Sequence, residues 1–204
     1  MNPVLWVVFG VLAIVSAGAI VYDGVASVRA RTEGRTVGPR PASAENQAIE
    51  RRRQRAVDAL GILDTPSEDR FDRIVTMARQ LYHTEAAVFS VIDRDREWHK
   101  SRSGNTVEEA ERTASFCSVT IRGTDALIVG DASKDDRFSA SPGVVGDPHV
   151  RFYAGFPVTA PGGEQIGALC IYDPEPRRAD EVDDSMLRQL AHLIEAELRA
   201  PVRR

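Results

Sequence analysis

The chain has 204 residues, 43% of them hydrophobic and 27% charged, with a formal net charge of −4; this is a globular composition, long enough for one ordinary domain plus accessory segments. Residues 1–55 hold eight arginines against four acids, a surplus of +4, whereas residues 56–204 hold 18 basic and 26 acidic side chains, −8. The folded part is therefore acidic, which argues against nucleic acid as its partner, and two cysteines, Cys117 and Cys170, are too few for a disulfide framework.

Val4 to Val21 is an uncharged run of 18 residues, just long enough for a transmembrane helix, and 4–22 is predicted as one. Trp6 and Tyr22 stand near its ends, where interfacial aromatics belong. A cleaved signal peptide is the alternative, with Ala17-Gly18-Ala19 as its cleavage site. Met1-Asn2-Pro3 offers no basic n-region, however, and the run exceeds a typical h-region. Arg29, Arg31, Arg35 and Arg40 follow, opposed by Asp23 and Glu33. The positive-inside rule then predicts a single-pass protein of the cell membrane, N-terminus outside and the remainder cytoplasmic. Residues 23–44 mix Gly, Pro, Ser and Arg without apolar periodicity and read as a basic linker.

A helix is predicted from Glu45 to Leu60, with Ile49, Arg53, Ala56, Val57 and Leu60 on one stripe and Gly61 as its stop. Thr65-Pro66-Ser67-Glu68 is a start signal: Thr65 caps, Pro66 takes the first helical position and Glu68 closes a capping box. The helix that follows carries Phe71, Ile74, Val75, Ala78, Leu81 and Tyr82 on one side. Ala86 to Ile92 then reads as a strand, Asp93-Arg94-Asp95 as a turn, and Trp98 to Ser103 as the returning strand. Residues 112–121 fit either helix or strand. Ala126 to Val129 is a short strand, and 131–149 is a long loop of the kind that is functional or disordered.

Residues 151–173 form a second hairpin around Pro161-Gly162-Gly163-Glu164. Phe152, Ala154, Phe156 and Val158 share one face of its first arm; Arg151, Tyr153 and Thr159 take the other. The second arm, Ile166 to Ile171, is apolar on both faces and so must be covered on both. A last helix starts near Asp180, with Val182, Met186, Leu187, Leu190, Leu193, Ile194 and Leu198 on one face and acids at its positive end.

These elements imply an α+β fold: an antiparallel sheet with the terminal helices on one face and the segments between Gly104 and His149 over the other. The order, and the words within it, resemble the GAF domain, a small-molecule-binding and signalling module. The carriers are Gly61-Ile62-Leu63-Asp64-Thr65-Pro66, Asp93 to Ser101 across the first hairpin, Ser115-Phe116-Cys117, Val129 to Phe138, Arg151 to Gly155 and Ile166 to Cys170. The domain is placed at 45–200, with the motifs in 55–198. The resemblance implies five or six strands with a pocket on the face away from the terminal helices. The Asn-Lys-Phe-Asp-Glu string of cyclic-nucleotide-binding relatives and the bilin-attachment signature of phytochromes are absent, so the resemblance does not extend to a ligand.

The candidate pocket residues are Arg151, Tyr153, Phe116, Cys117, Trp98, Asp131 and Phe138. Arg151 either holds an anionic ligand or pairs with Asp131, Asp135 or Asp136. Phe116, Phe138 and Trp98 either line the pocket or belong to the core. His83, His99, His149 and His192 share no metal-ligand spacing, and no nucleophile-elbow, P-loop or dinucleotide signature occurs. No catalytic residues, metal or cofactor are expected. The expected function is a membrane-anchored sensor binding a small molecule or an output protein, without catalysis of its own. The alternative is a thiol-based redox sensor or a methionine-sulfoxide-type reductase using Cys117 and Cys170. A homodimer through the terminal helices is expected, with Leu187, Ile194 and Leu198 as surplus apolar side chains facing a second protomer.

Overall fold

The computed structural model describes residues 43–200. The span predicted at 4–22 lies outside the described residues, as does the linker up to residue 42. Its last two residues are described: Ser43 accepts a hydrogen bond from the Asn46 N–H at 3.2 Å and caps α1, Ala44–Leu60. Gly61, at φ +61°, closes that helix in the left-handed conformation.

Six strands build one antiparallel sheet: β1 Ala86–Asp93, β2 Arg96–Gly104, β3 Glu109–Glu111, β4 Leu127–Val129, β5 Phe152–Thr159 and β6 Gln165–Asp173, in the order β3-β2-β1-β6-β5-β4. The helices α1, α2 (Asp69–Tyr82) and α5 (Ser185–Arg199) pack on one face. Two short helices, α3 (Phe116–Thr120) and α4 (Pro142–Val145), lie with the chain between them on the other.

The central strands are buried on both faces because each has a core on either side. In β1, Ala87, Phe89 and Val91 face the long helices, while Val88 and Ile92 face the covering layer. In β5, Phe152, Ala154, Phe156 and Val158 take the helix side and Tyr153 the other. In β6, Leu169 and Ile171 oppose Ala168 and Cys170. The segment 112–121, open between helix and strand in the sequence, is a turn of 3-10 helix followed by α3.

Four expectations are corrected. First, α2 begins at Asp69, not at the predicted capping box. Lys100 on β2 buries its ammonium completely, and Thr65, Pro66 and Glu68 turn toward it instead. Its Nζ donates to the Thr65 hydroxyl and the Pro66 carbonyl, both at 2.7 Å, and meets Glu68 at 2.8 Å. A buried charge must be paired, and that demand outweighs the cap. Second, the chain near Asp180 is a 3-10 turn, and α5 starts at Ser185 behind Asp183, which accepts the Ser185 N–H at 2.9 Å. Third, Leu187 and Ile194 are fully buried in this protomer's own core and Leu198 packs against it, so none is surplus; the exposed large apolar side chains of α5 are Met186 and Leu193. Fourth, no helix among the described residues is long and apolar enough to cross a membrane. The longest, α1, has 17 residues and carries Arg51, Arg52, Arg53 and Arg55, where a span needs about 20 apolar ones. The single-pass localisation with a cytoplasmic domain is therefore withdrawn.

Candidate ligand-binding site

On the sheet face away from the long helices lies a cavity of about 510 Å³. That size suits a small organic ligand, for which pockets run from about 300 to 1,000 Å³. Its floor comes from the middle of the sheet: Val88 of β1, Glu97 and His99 of β2, Tyr153 of β5 and Cys170 of β6. One wall is Ser115, Phe116 and Cys117, where α3 begins. The mouth lies between the β2–β3 connection (Asn105, Thr106, Val107) and the segment Ser141 to Val150.

Alternation in β2 places the polar floor. Trp98 faces the long helices, so Glu97 and His99 on either side of it face the cavity. Glu97 is buried, and its two oxygens are held separately. Ser115 Oγ donates a short hydrogen bond to one, and His99 Nε2 lies 3.2 Å from the other. Burial alone would push the Glu97 carboxyl up; hydrogen bonds from His99, Ser115 and Cys117, with the attraction of the imidazole, reverse this and hold it below its usual range. His99 Nδ1 sits 2.7 Å from the Val107 carbonyl, which can only accept, so Nδ1 carries a hydrogen. Both ring nitrogens are thereby engaged.

The second polar cluster is softer. The Tyr153 hydroxyl lies 2.8 Å from Thr120 Oγ1 and 3.4 Å from Cys117 Sγ. Cys117 Sγ in turn lies 3.7 Å from Cys170 Sγ. Burial, first, and the neighbouring sulfur push the Cys117 thiol well above its ordinary range; burial likewise raises the Tyr153 phenol. Room for the Tyr153 ring comes from Gly155, where a Cβ would lie 2.1 Å from the Tyr153 hydroxyl. Phe116 stacks between Tyr153 (centroids 4.7 Å) and Phe138 (4.1 Å).

Of the seven residues singled out in the sequence, Tyr153, Phe116 and Cys117 line the cavity. Phe138 is buried behind Phe116. Trp98 belongs to the core on the opposite face of the sheet. Arg151 neither faces the cavity nor pairs with Asp131, Asp135 or Asp136. It donates to the carbonyls of Val144 (2.9 Å), His149 (3.2 Å) and Val150 (3.1 Å) and so ties down the covering segment. Asp131 accepts the Ser133 N–H and pairs with Lys134 at 2.7 Å, and Asp135 pairs with Arg137 at 2.6 Å. Glu97, His99, Ser115 and Tyr172 were not foreseen as site residues, and Cys170 was named only for the redox alternative; the signal for the first two was the Glu-Trp-His alternation itself. No group of three or more His, Cys, Asp or Glu among the described residues is arranged to hold a metal ion.

An antiparallel sheet with long helices on one face and a roofed cavity on the other is the arrangement of a sensor-type domain. A family model of the GAF domain matches residues 66–198, and the chain belongs to the GAF family. It is 37% identical over 150 residues to a cyclic di-GMP phosphodiesterase of Pseudomonas aeruginosa; the match spans 73% of this chain and 26% of that protein. That relative bears the name of an enzyme, so the expectation of a module without catalytic activity is corrected. The fold is similar to the free methionine-R-sulfoxide reductase of Neisseria meningitidis, solved in complex with its substrate (TM-score 0.52, 16% identity, 78% of this chain and 92% of that one). It is equally similar to the GAF domain of a phosphoenolpyruvate-protein phosphotransferase from Coxiella burnetii (TM-score 0.52, 14% identity, 74% and 93%).

Proposed function

We propose that this GAF domain senses a small molecule bound in the cavity, and that the signal concerns cyclic di-GMP turnover. The observation that carries the ligand reading is the polar floor. Glu97, His99 and Ser115 are buried beneath a cavity of about 510 Å³, and sites of this kind combine apolar walls with a few fixed polar groups. Support for the signalling context is the relative's name. A ligand at the mouth would touch both the Asn105–Val107 and the Ser141–Val150 segments, which belong to different parts of the chain.

A thermal-unfolding screen of metabolites tests the reading. A ligand at 100 times its Kd stabilises the folded state by about 2.7 kcal/mol. Gly143→Trp, placed at the mouth where a Cβ meets nothing closer than 3.9 Å, should abolish that shift without unfolding the protein. Stabilisation by no compound, or stabilisation that survives Gly143→Trp, rejects the proposal.

A second reading, a thiol-based redox sensor, draws on the 3.7 Å approach of Cys117 Sγ and Cys170 Sγ. The raised Cys117 thiol opposes it, because the thiolate is the reactive form. Its test is the mass of the protein after hydrogen peroxide treatment. Loss of two hydrogens, absent in Cys170→Ala, supports it; unchanged thiols reject it.

A further inference from the structure

We infer that the cavity selects a cation: a protonated amine or amidinium carried on a compact apolar body. This rests on the proposal that the cavity binds a small molecule, and it names the chemical class.

The charges around the cavity are one-sided. No lysine or arginine is among the described residues that line it, whereas Glu97 lies at the floor and Glu111 and Asp147 at the mouth. An anionic ligand would lose its hydration and find no free cation in return, a cost of several kcal/mol for a buried ion. The one lining group able to carry positive charge, His99, has both ring nitrogens committed, to Val107 and Glu97. The Tyr153 hydroxyl is likewise occupied, within Thr120 and Cys117.

Acceptor capacity, by contrast, is left over. A carboxylate offers about four lone-pair sites. Ser115 and His99 take one on each Glu97 oxygen. The carboxylate is also pinned in place, so a ligand N–H meets a fixed partner. Val88, Val150, Pro142 and the edge of the Phe116 ring supply apolar walls for the ligand's body. The acidic mouth draws cations toward the cavity before contact. These features also make the cavity a poor host for cyclic di-GMP, which carries two phosphodiester charges; any response to that dinucleotide would run through another surface.

The test compares probes of one shape and different charge on the full-length protein: benzylamine (protonated at neutral pH), benzyl alcohol and benzoate, with cyclic di-GMP as a second anion. Binding is read by amide chemical-shift changes at Glu97, Cys117 and Tyr153 and by calorimetry. Benzylamine should bind at least tenfold more tightly than benzyl alcohol, and neither anion should perturb those amides. Glu97→Gln, which keeps the side-chain shape, should erase the preference for benzylamine over benzyl alcohol. Should that variant not fold, Glu111→Gln with Asp147→Asn at the exposed mouth should weaken benzylamine two- to threefold and leave benzyl alcohol unchanged. If benzoate or cyclic di-GMP binds in the cavity as well as benzylamine does, the cation assignment is wrong and the sensor reading survives. If no probe perturbs a lining residue, both fall together.

Discussion

At the scale of single residues, Glu50 shows how charge is used away from the cavity. It receives Arg53 from its own helix at 2.8 Å and Arg112, beyond β3, at 2.6 Å. Burial would raise this carboxyl, but the two guanidiniums overcome that and lower it to about 2. Because the folded value lies below the unfolded one, the stabilisation is fully present above pH 4.5 and fades as pH falls toward 2. The side chain is 42% exposed, so after allowance for screening we expect Glu50→Gln to cost about 1 kcal/mol at pH 7. Urea unfolding at pH 7 and pH 2.5 should show that difference shrinking to a small fraction of its size at the lower value. Gly155 makes a different prediction. Gly155→Ala must push the Tyr153 ring off its place, at a cost of about 1–3 kcal/mol for overpacking. Tyr153→Phe removes only the bonds to Thr120 and Cys117 and should cost about 1 kcal/mol. Thermal melts of the two variants should rank them in that order.

Among the elements, β2 does the most to divide the molecule into a helix side and a cavity side. Its pairing with β1 slips by one residue: Phe89 faces Ser101, Ser90 faces His99, and Lys100 is left over in a bulge. Both Lys100 and Ser101 can then address the helix layer, Ser101 through its hydrogen bond to Asp72 at 2.5 Å, while Glu97 and His99 keep the other face. A bulge of this kind leaves no periodic trace in a sequence. Thr65-Pro66-Ser67-Glu68 read as a helix start because nothing in that stretch announced a buried ammonium arriving from 32 residues further on. Glu68 is held below its usual range, burial opposing and the Lys100 and Arg70 hydrogen bonds prevailing. Lys100→Ala should therefore destabilise by about 3 kcal/mol, since it leaves a cavity and partners without their charge. Lys100→Met, which refills the space, should recover at least half of that in urea unfolding.

For the molecule as a whole, what the sequence could show was decided by distance along the chain. The strands were legible because apolar runs and turn residues are local, and two covered faces followed from the doubly apolar β6. Tyr153 and Cys117 could be placed because their own strand and motif positions pointed at the pocket. Arg151 could not: its partners are carbonyls of the covering segment, whose path no side-chain pattern records. Leu187 and Ile194 looked surplus because one helix's stripe carries no measure of how much sheet awaits it. The covering layer consists of short helices and loops, whereas the opposite face carries helices of 14 to 17 residues. Local opening should therefore begin on the cavity side. Hydrogen exchange should be fastest through 131–149, and the two thiols, 2% and 3% exposed, should resist a maleimide reagent in native protein and react fully in urea.

The strand order also settles how the sheet ends. Its outermost strands, β3 and β4, have three residues each, too few to template a neighbouring chain. β3 reads Glu-Ala-Glu and is wholly exposed, so a second sheet approaching there would meet like charge before it could form a ladder. β4 is more apolar, but the chain just beyond it is occupied, with the Arg177 N–H donating to the Gly130 carbonyl at 2.9 Å. A sheet with three long, hydrophobic inner strands, β1, β5 and β6, is thereby protected from edge-to-edge polymerisation. Replacing Glu109 and Glu111 with threonine should leave folding stability within about 0.5 kcal/mol while raising light scattering in concentrated solution.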